Sequence, residues 1–165
     1  MAKKKPIITN AMRMLNAAKI NYTAVEYDTD GKVEEHFGMV IAEKTGIPPE
    51  QSFKTLVLKG EKTGYSVACI PVNCELDLKK FAQTLGDKKA EMIHVKDLLA
   101  LTGYIRGGVS PIGMKKIFPT YFDESCLGFT EIAVSAGICG CTLIINTKDI
   151  LSATDGKTAD ITRKD

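Results

Sequence analysis

Lys54 sits in the stretch "FKTLVLK", residues 53 to 59, whose aliphatic and β-branched run predicts a strand. Side chains alternate faces along a strand, so Phe53, Thr55, Val57 and Lys59 share one face and Lys54, Leu56 and Leu58 the other. Lys59 stands beside Gly60 and can run into water. Lys54 shares its face with two leucines, where an unpaired ammonium is costly. Two readings account for it. Its stem can cover the leucines while the amine reaches solvent or pairs with Glu26 or Asp28. Alternatively it points into a cleft, where an amine can hold a phosphate or polarise a carbonyl.

The second stretch with chemical potential is "GYIRGGVSPIGMKK", residues 103 to 116, which has no periodic apolar pattern. Glycine lets backbone approach a ligand closely, and the Gly107-Gly108 pair can turn successive N–H groups toward one anion or developing oxyanion. The plainer reading is a surface loop between elements. The run from Gly108 to Lys115 superficially matches a phosphate loop, but Met114 stands in the lysine slot and Lys115 in the hydroxyl slot. It also follows a predicted helix, and Pro111 removes a cradling N–H, so nucleotide triphosphatase chemistry is excluded. No serine–histidine–acid set is apparent near this loop, since the histidines are His36 and His94. Lys54 with Ser110 or Ser135 remains a conceivable dyad. Cys69, Cys74, Cys126, Cys139 and Cys141 form no CxxC pair at zinc-finger spacing, so reduced, mostly buried thiols and no metal are expected.

These residues need a scaffold to position them. Thr9 or Asn10 can cap a first helix carrying Met12, Leu15, Ala18 and Ile20. "YTAVEYD" alternates as a strand, and a helix is predicted from Glu34 to Thr45, stopped by Gly46. Pro48 to Gln51 reads as a turn or one helical turn. "FKTLVLK" and "GYSVACIPV" flank a hairpin loop at 60–64. Asp77 opens the amphipathic "DLKKFAQTLG", and "HVKDLLALTG" reads as another helix. "PTYFDES", "FTEIAVSAG" and "CTLIINT" read as strands and "KDILSATDG" as a closing helix. The strands come in pairs and the helices in groups, without regular βαβ alternation, so the expected class is α+β with a mixed or antiparallel sheet. At 165 residues, without repeats or linkers, one domain over 1–165 is expected.

A balance of 22 basic to 20 acidic residues gives no global polyanion-binding field, so nucleic-acid contact would need a local patch. Lys79-Lys80, Lys88-Lys89 and Lys115-Lys116 are the candidates, each equally readable as a solvated face. The basic start Met1–Pro6 is followed by no signal-length apolar region and no run reaches membrane-spanning length, so a cytoplasmic location is expected.

"FKTLV", "ELDLKKFAQTLG", "TGYIRGGVSPIGMKK" and "VSAG", in that order and at those intervals, resemble the YbaK/EbsC family over about Leu15 to Leu151. These are free-standing relatives of the editing domain inserted in bacterial prolyl-tRNA synthetases, and within them the chain looks most like the Cys-tRNA(Pro) deacylases. The resemblance implies a compact α/β domain with a strongly curved mixed sheet, needing neither metal nor cofactor. It implies hydrolysis of the ester joining mischarged cysteine to tRNA(Pro), with the bound cysteine's own thiol attacking its ester carbonyl. The family's lysine falls on Lys54 with Thr55 beside it, and its first-strand tyrosine on Tyr27. Its glycine pair falls on Gly107 and Gly108, as the group orienting the carbonyl, with Tyr104, Ser110 and Pro111 around it. The serine of its late strand falls on Ser135. The chain departs from the pattern at Ile138 and Cys139, where basic residues are usual, and at Thr142, where aspartate is common. A transient complex with prolyl-tRNA synthetase is the implied source of tRNA specificity. A non-catalytic aminoacyl-adenosine or nucleotide-binding module, and a general aminoacyl-ester hydrolase, are the competing readings.

Overall fold

The structure is a computed structural model describing residues 7–30, 32–33 and 36–164. Thr9 caps α1 (Asn10–Ala17), its hydroxyl oxygen accepting from the Met12 amide at 3.2 Å and satisfying a group the helix itself cannot. Ala11, Met12 and Leu15 are buried beneath α1, while Ala18 forms its C-cap. The helix expected from Glu34 is α2 (Phe37–Thr45), closed by Gly46. Glu34, Glu35 and the Met1–Pro6 start lie outside the described residues. Asp77 caps α3 (Leu78–Leu85) by accepting from the Lys80 amide at 3.0 Å, and Gly86 ends it in the left-handed region.

The strands are β1 (Tyr22–Glu26), β2 (Phe53–Gly60), β3 (Gly64–Pro71), β4 (Ala90–Met92), β5 (Thr120–Asp123), β6 (Glu131–Ser135), β7 (Cys141–Asn146) and β8 (Lys157–Ala159). They form a three-stranded sheet ordered β1-β7-β6 and a five-stranded sheet ordered β4-β2-β3-β5-β8. The smaller sheet is antiparallel throughout, whereas β5 runs parallel to both β3 and β8. A parallel bridge, Ser52 to Ala133, joins the sheets where β2 begins. This is the mixed α+β class expected.

Alternation along β2 separates two cores. Phe53 and Val57 are buried with Leu15, Phe122, Leu143 and Ile145. Leu58, with Leu56 packed beside it, faces the opposite cluster of Ala68, Ile70, Phe81 and Ile161. The unpredicted β4 and β8 span three residues each, too short for a period of two to register. The single helix predicted over 94–102 is instead a 3-10 turn, Val95–Asp97, followed by α4 (Leu98–Thr102). The chain is still tied to the sheet just before it, through the Ile93 amide donating to the Val57 carbonyl at 3.2 Å. The chain closes with α5 (Thr147–Thr154), capped by Asn146. No helix among the described residues is long and apolar enough to cross a membrane.

Candidate active site

β2 is paired along its whole length with β3, but β4 covers its other edge only from Leu58 to Gly60. Between the Ser52–Ala133 bridge and the Val57 carbonyl, which accepts from the Ile93 amide, the edge is open. The Val72 amide donates to the Ser52 carbonyl at 2.8 Å, which fixes the hydrogen-bonding parity of the β2–β3 ladder. By that parity the main-chain groups of Lys54 and Leu56 face β3, and those of Thr55 face the opening. A cavity of about 660 Å³ occupies this gap. Because it lies at a strand edge, Lys54 and Thr55 both line it although they belong to opposite faces.

Several distant segments converge there. The end of β1 contributes Tyr27, the ends of β6 and β7 contribute Ser135, Cys141 and Thr142, and the glycine loop contributes Arg106, Gly107 and Val109. Phe37 of α2 and Met92, Val95 and Leu98 form its apolar rim. A second hollow of about 380 Å³ shares Phe37 but is lined otherwise by Asp28, Asp30, Lys32, Lys44 and neighbours, and by no residue that the sequence nominated for chemistry.

The Lys54 amine is half-buried and has no hydrogen-bond or ion-pair partner among the described residues. Burial pulls its pKa down, opposed by the negative charge of Glu75 and weakly by Cys74. The nearby carboxylate is therefore Glu75, not Glu26 or Asp28. Glu75 also lines the cavity, and its Oε2 accepts from Arg163 Nη1 at 3.0 Å. Burial likewise pushes the Tyr27 phenol up, offset in part by a backbone hydrogen bond from Gly140.

The two glycines are not equivalent. Gly107 has φ of 86°, and a Cβ there would stand 2.5 Å from Val33 Cγ2 and 2.9 Å from Cys139 Sγ; only glycine fits both the conformation and the space. It lines the cavity, and its amide has no hydrogen-bond partner among the described residues. Gly108 is buried outside the lining, against the backbone of Ile138 and Cys139 at 3.0–3.1 Å from its would-be Cβ. Its amide donates to the Ile105 carbonyl at 2.9 Å. Of the expected pair of N–H donors, the Gly108 amide is spent on closing the turn, and the Gly107 amide is the one left without a partner among the described residues.

Tyr104, Ser110 and Pro111 are buried and are not among the lining residues. The Tyr104 hydroxyl donates to the Ile112 carbonyl at 2.6 Å, and burial raises its pKa to about 12. Ser110 Oγ accepts from the Ile112 amide at 3.3 Å. These side chains fold the loop. Ser135 Oγ accepts from the Gly137 amide at 3.1 Å, leaving its own proton to donate, whereas the Thr142 hydroxyl donates to the Val134 carbonyl at 2.8 Å. The Thr142 hydroxyl is thereby committed to the sheet. His36, set aside from the sequence as distant from the glycine loop, lines the cavity with it, and Glu75 and Arg106 line it without having been singled out. The signal for Arg106 was its place immediately before the glycine pair; Glu75 and His36 carried none. Among the described residues no three His, Cys, Asp or Glu side chains gather as metal ligands.

The family model for the aminoacyl-tRNA editing domain matches residues 29–153. An Enterococcus faecalis protein with the provisional name Cys-tRNA(Pro)/Cys-tRNA(Cys) deacylase EbsC is 51% identical, covering 100% of each chain. A proline–tRNA ligase of Thermosipho africanus is 31% identical over 77 residues, which are 47% of this chain and 14% of the ligase. A solved structure described provisionally as a trans-editing enzyme for prolyl tRNA synthetase superimposes with a TM-score of 0.82 at 25% identity, over 96% of this chain and 100% of the other.

Proposed function

The chain belongs to the aminoacyl-tRNA editing domain family, and from that premise we propose that it is a deacylase of mischarged aminoacyl-tRNA, with Cys-tRNA(Pro) as its substrate. It acts as one editing domain over 1–165, in trans, in the cytoplasm. The observation that carries this reading is the convergence of Lys54, Gly107, Tyr27 and Ser135 on one cavity at an open strand edge.

In this reading the terminal aminoacyl-adenosine enters the cavity, whose size suits one small ligand. The half-buried Lys54 ammonium faces the ester carbonyl, and the Gly107 amide donates to the oxygen as it becomes an oxyanion. One such donor contributes about 3–4 kcal/mol in related chemistry, so the amide given up by Gly108 must be made good by Lys54. The nucleophile is the bound cysteine's own thiol. Its sulfur bonds to the ester carbon, the bond to the ribose oxygen breaks, the thiol proton ends on that oxygen, and water then opens the thioester. A free thiol is only a few per cent thiolate at neutral pH yet strongly nucleophilic, so orientation is the protein's main contribution.

The surface fits a weak hold on the rest of the tRNA. Lys80 is engaged with Asp160 at 3.2 Å and Lys89 with Glu91 at 2.7 Å. Lys115 and Lys116 are exposed directly after the glycine loop. A ternary complex with prolyl-tRNA synthetase would supply the tRNA identity. The test is deacylation of cysteinyl-, alanyl- and seryl-tRNA, each read against a no-protein control. Release of cysteine with alanine and serine left on their tRNAs supports thiol assistance. Cleavage of all three points to a general ester hydrolase, and binding without cleavage to a non-catalytic module.

A further inference from the structure

We propose that Arg106 binds the phosphate on the 5′ side of the aminoacylated nucleoside, and so fixes where the polynucleotide leaves the cavity. The assignment rests on the deacylase reading above and names a subsite of it. Arg106 lines the cavity, yet it is solvent-exposed and has no ion-pair partner or side-chain hydrogen bond among the described residues. Lys54, the other long cationic side chain of the lining, is half-buried at the open edge of β2. The cavity therefore has an inner amine and an outer guanidinium.

An aminoacyl nucleoside ester carries its negative charge only at the phosphate, while its carbonyl is neutral until attacked. The inner cation suits the carbonyl and the outer one suits the phosphate. A guanidinium is also the better partner for a phosphate, because its planar fork can donate two parallel hydrogen bonds. The anionic competitor within the lining, Glu75, is already bonded to Arg163 at 3.0 Å.

The backbone under Arg106 is held from several sides. Its carbonyl accepts from Cys139 Sγ at 3.8 Å, the Gly108 amide closes the turn on Ile105, and Gly107 packs against Val33, Phe37 and Cys139. A guanidinium anchored at its base loses less freedom on binding than one on a loose loop. The same turn presents the Gly107 amide, so phosphate capture at Arg106 would set the ester's distance from that donor.

The experiment compares wild type, Arg106→Gln and Arg106→Lys on three esters: cysteinyl-tRNA, cysteinyl-adenosine 5′-monophosphate esterified on the ribose, and the same ester without phosphate. Arg106→Gln should lower kcat/KM about tenfold or more on the two phosphate-bearing esters, chiefly through KM. It should cost the phosphate-free ester far less, and Arg106→Lys should recover part of the loss. On cysteinyl-tRNA, the slope of log kcat/KM against log salt should flatten by about 0.7, the value of one phosphate contact on a single strand. Equal losses on all three esters, or an unchanged salt slope, overturn the assignment while the deacylase reading stands. A wild type inert on all three esters overturns both.

Discussion

Lys54 and Lys59 stand on the same strand, and their surroundings differ completely. Lys59 is exposed, its amine 5.5 Å from the centre of the Tyr65 ring, on a stretch of β2 paired with both β3 and β4. Just beyond it Asp87 closes the hairpin, its Oδ2 accepting from the Lys62 and Thr63 amides at 2.9 Å and from the Thr63 hydroxyl at 2.7 Å. Lys54 is half-buried, lacks any such partner among the described residues, and sits where one edge of β2 is open. At one end of the strand the polar groups are satisfied by the protein itself. At the other, the amine of Lys54 and the main chain of Thr55 are left for something else. What separates the two lysines here is where β4 starts and stops, rather than residue type.

The largest expected effect follows from that contrast. Lys54→Ala should lower deacylation of cysteinyl-tRNA by about 10²–10³-fold, the scale of losing a preorganised charge at an oxyanion. It should leave Tm within about 2 °C, because removing an unpaired, half-buried amine leaves no orphaned partner. Lys59→Ala should change neither quantity appreciably. Near-wild-type turnover by Lys54→Ala, measured beside an unchanged thermal melt, would remove the amine from the chemistry and erase the contrast.

Gly107→Ala comes next. Its φ of 86° and the 2.5 Å approach to Val33 Cγ2 mean that a methyl group both strains the backbone and displaces a neighbour. A loss of about 1–3 kcal/mol in stability is expected. Turnover should fall about tenfold or more as the Gly107 backbone shifts within the cavity lining. Denaturant titration and single-turnover kinetics on the same preparation check the two together. A variant that melts early but turns over normally would show the loop to be scaffold only.

How much of this was legible depended on how local each cause is. The face alternation of β2, the Asp77 cap and Gly86 stop of α3, and the special demand at Gly107 are set by near neighbours, and each could be read from residue type and spacing. Both Lys54 and Thr55 reach one cavity because β4 ends at Met92, and a three-residue strand leaves no periodic trace. Gly107 and Gly108 look alike in the sequence; the positive φ of one and the hydrogen bond of the other to the Ile105 carbonyl tell them apart. Tyr104, Ser110 and Pro111 stand in the same motif, yet the fold turns them inward, because a loop without periodicity must bury its own side chains to hold a shape. Arg106 and Glu75 read as ordinary solvated charges until distant segments bring them to one rim.

Asp87 supplies the smallest effect and tests the satisfied end of the strand. Its hydrogen bonds from Lys62 and Thr63 hold its carboxyl well below the usual carboxylate range, even though it is exposed. A depressed folded-state pKa stabilises the native protein at every pH above the unfolded value of 3.8, and that contribution fades as pH falls from there toward the folded value. Asp87→Asn keeps one acceptor oxygen and loses the charge, so it should melt a few degrees lower at pH 7 with deacylation unaffected. Lowering the pH through the range below 3.8 should draw the two melting curves together, because the wild type then gives up what the variant never had. A difference in Tm that stays constant between pH 7 and pH 2.5 would mean the carboxylate charge contributes nothing, and a drop in turnover would mean that the two ends of β2 are mechanically coupled.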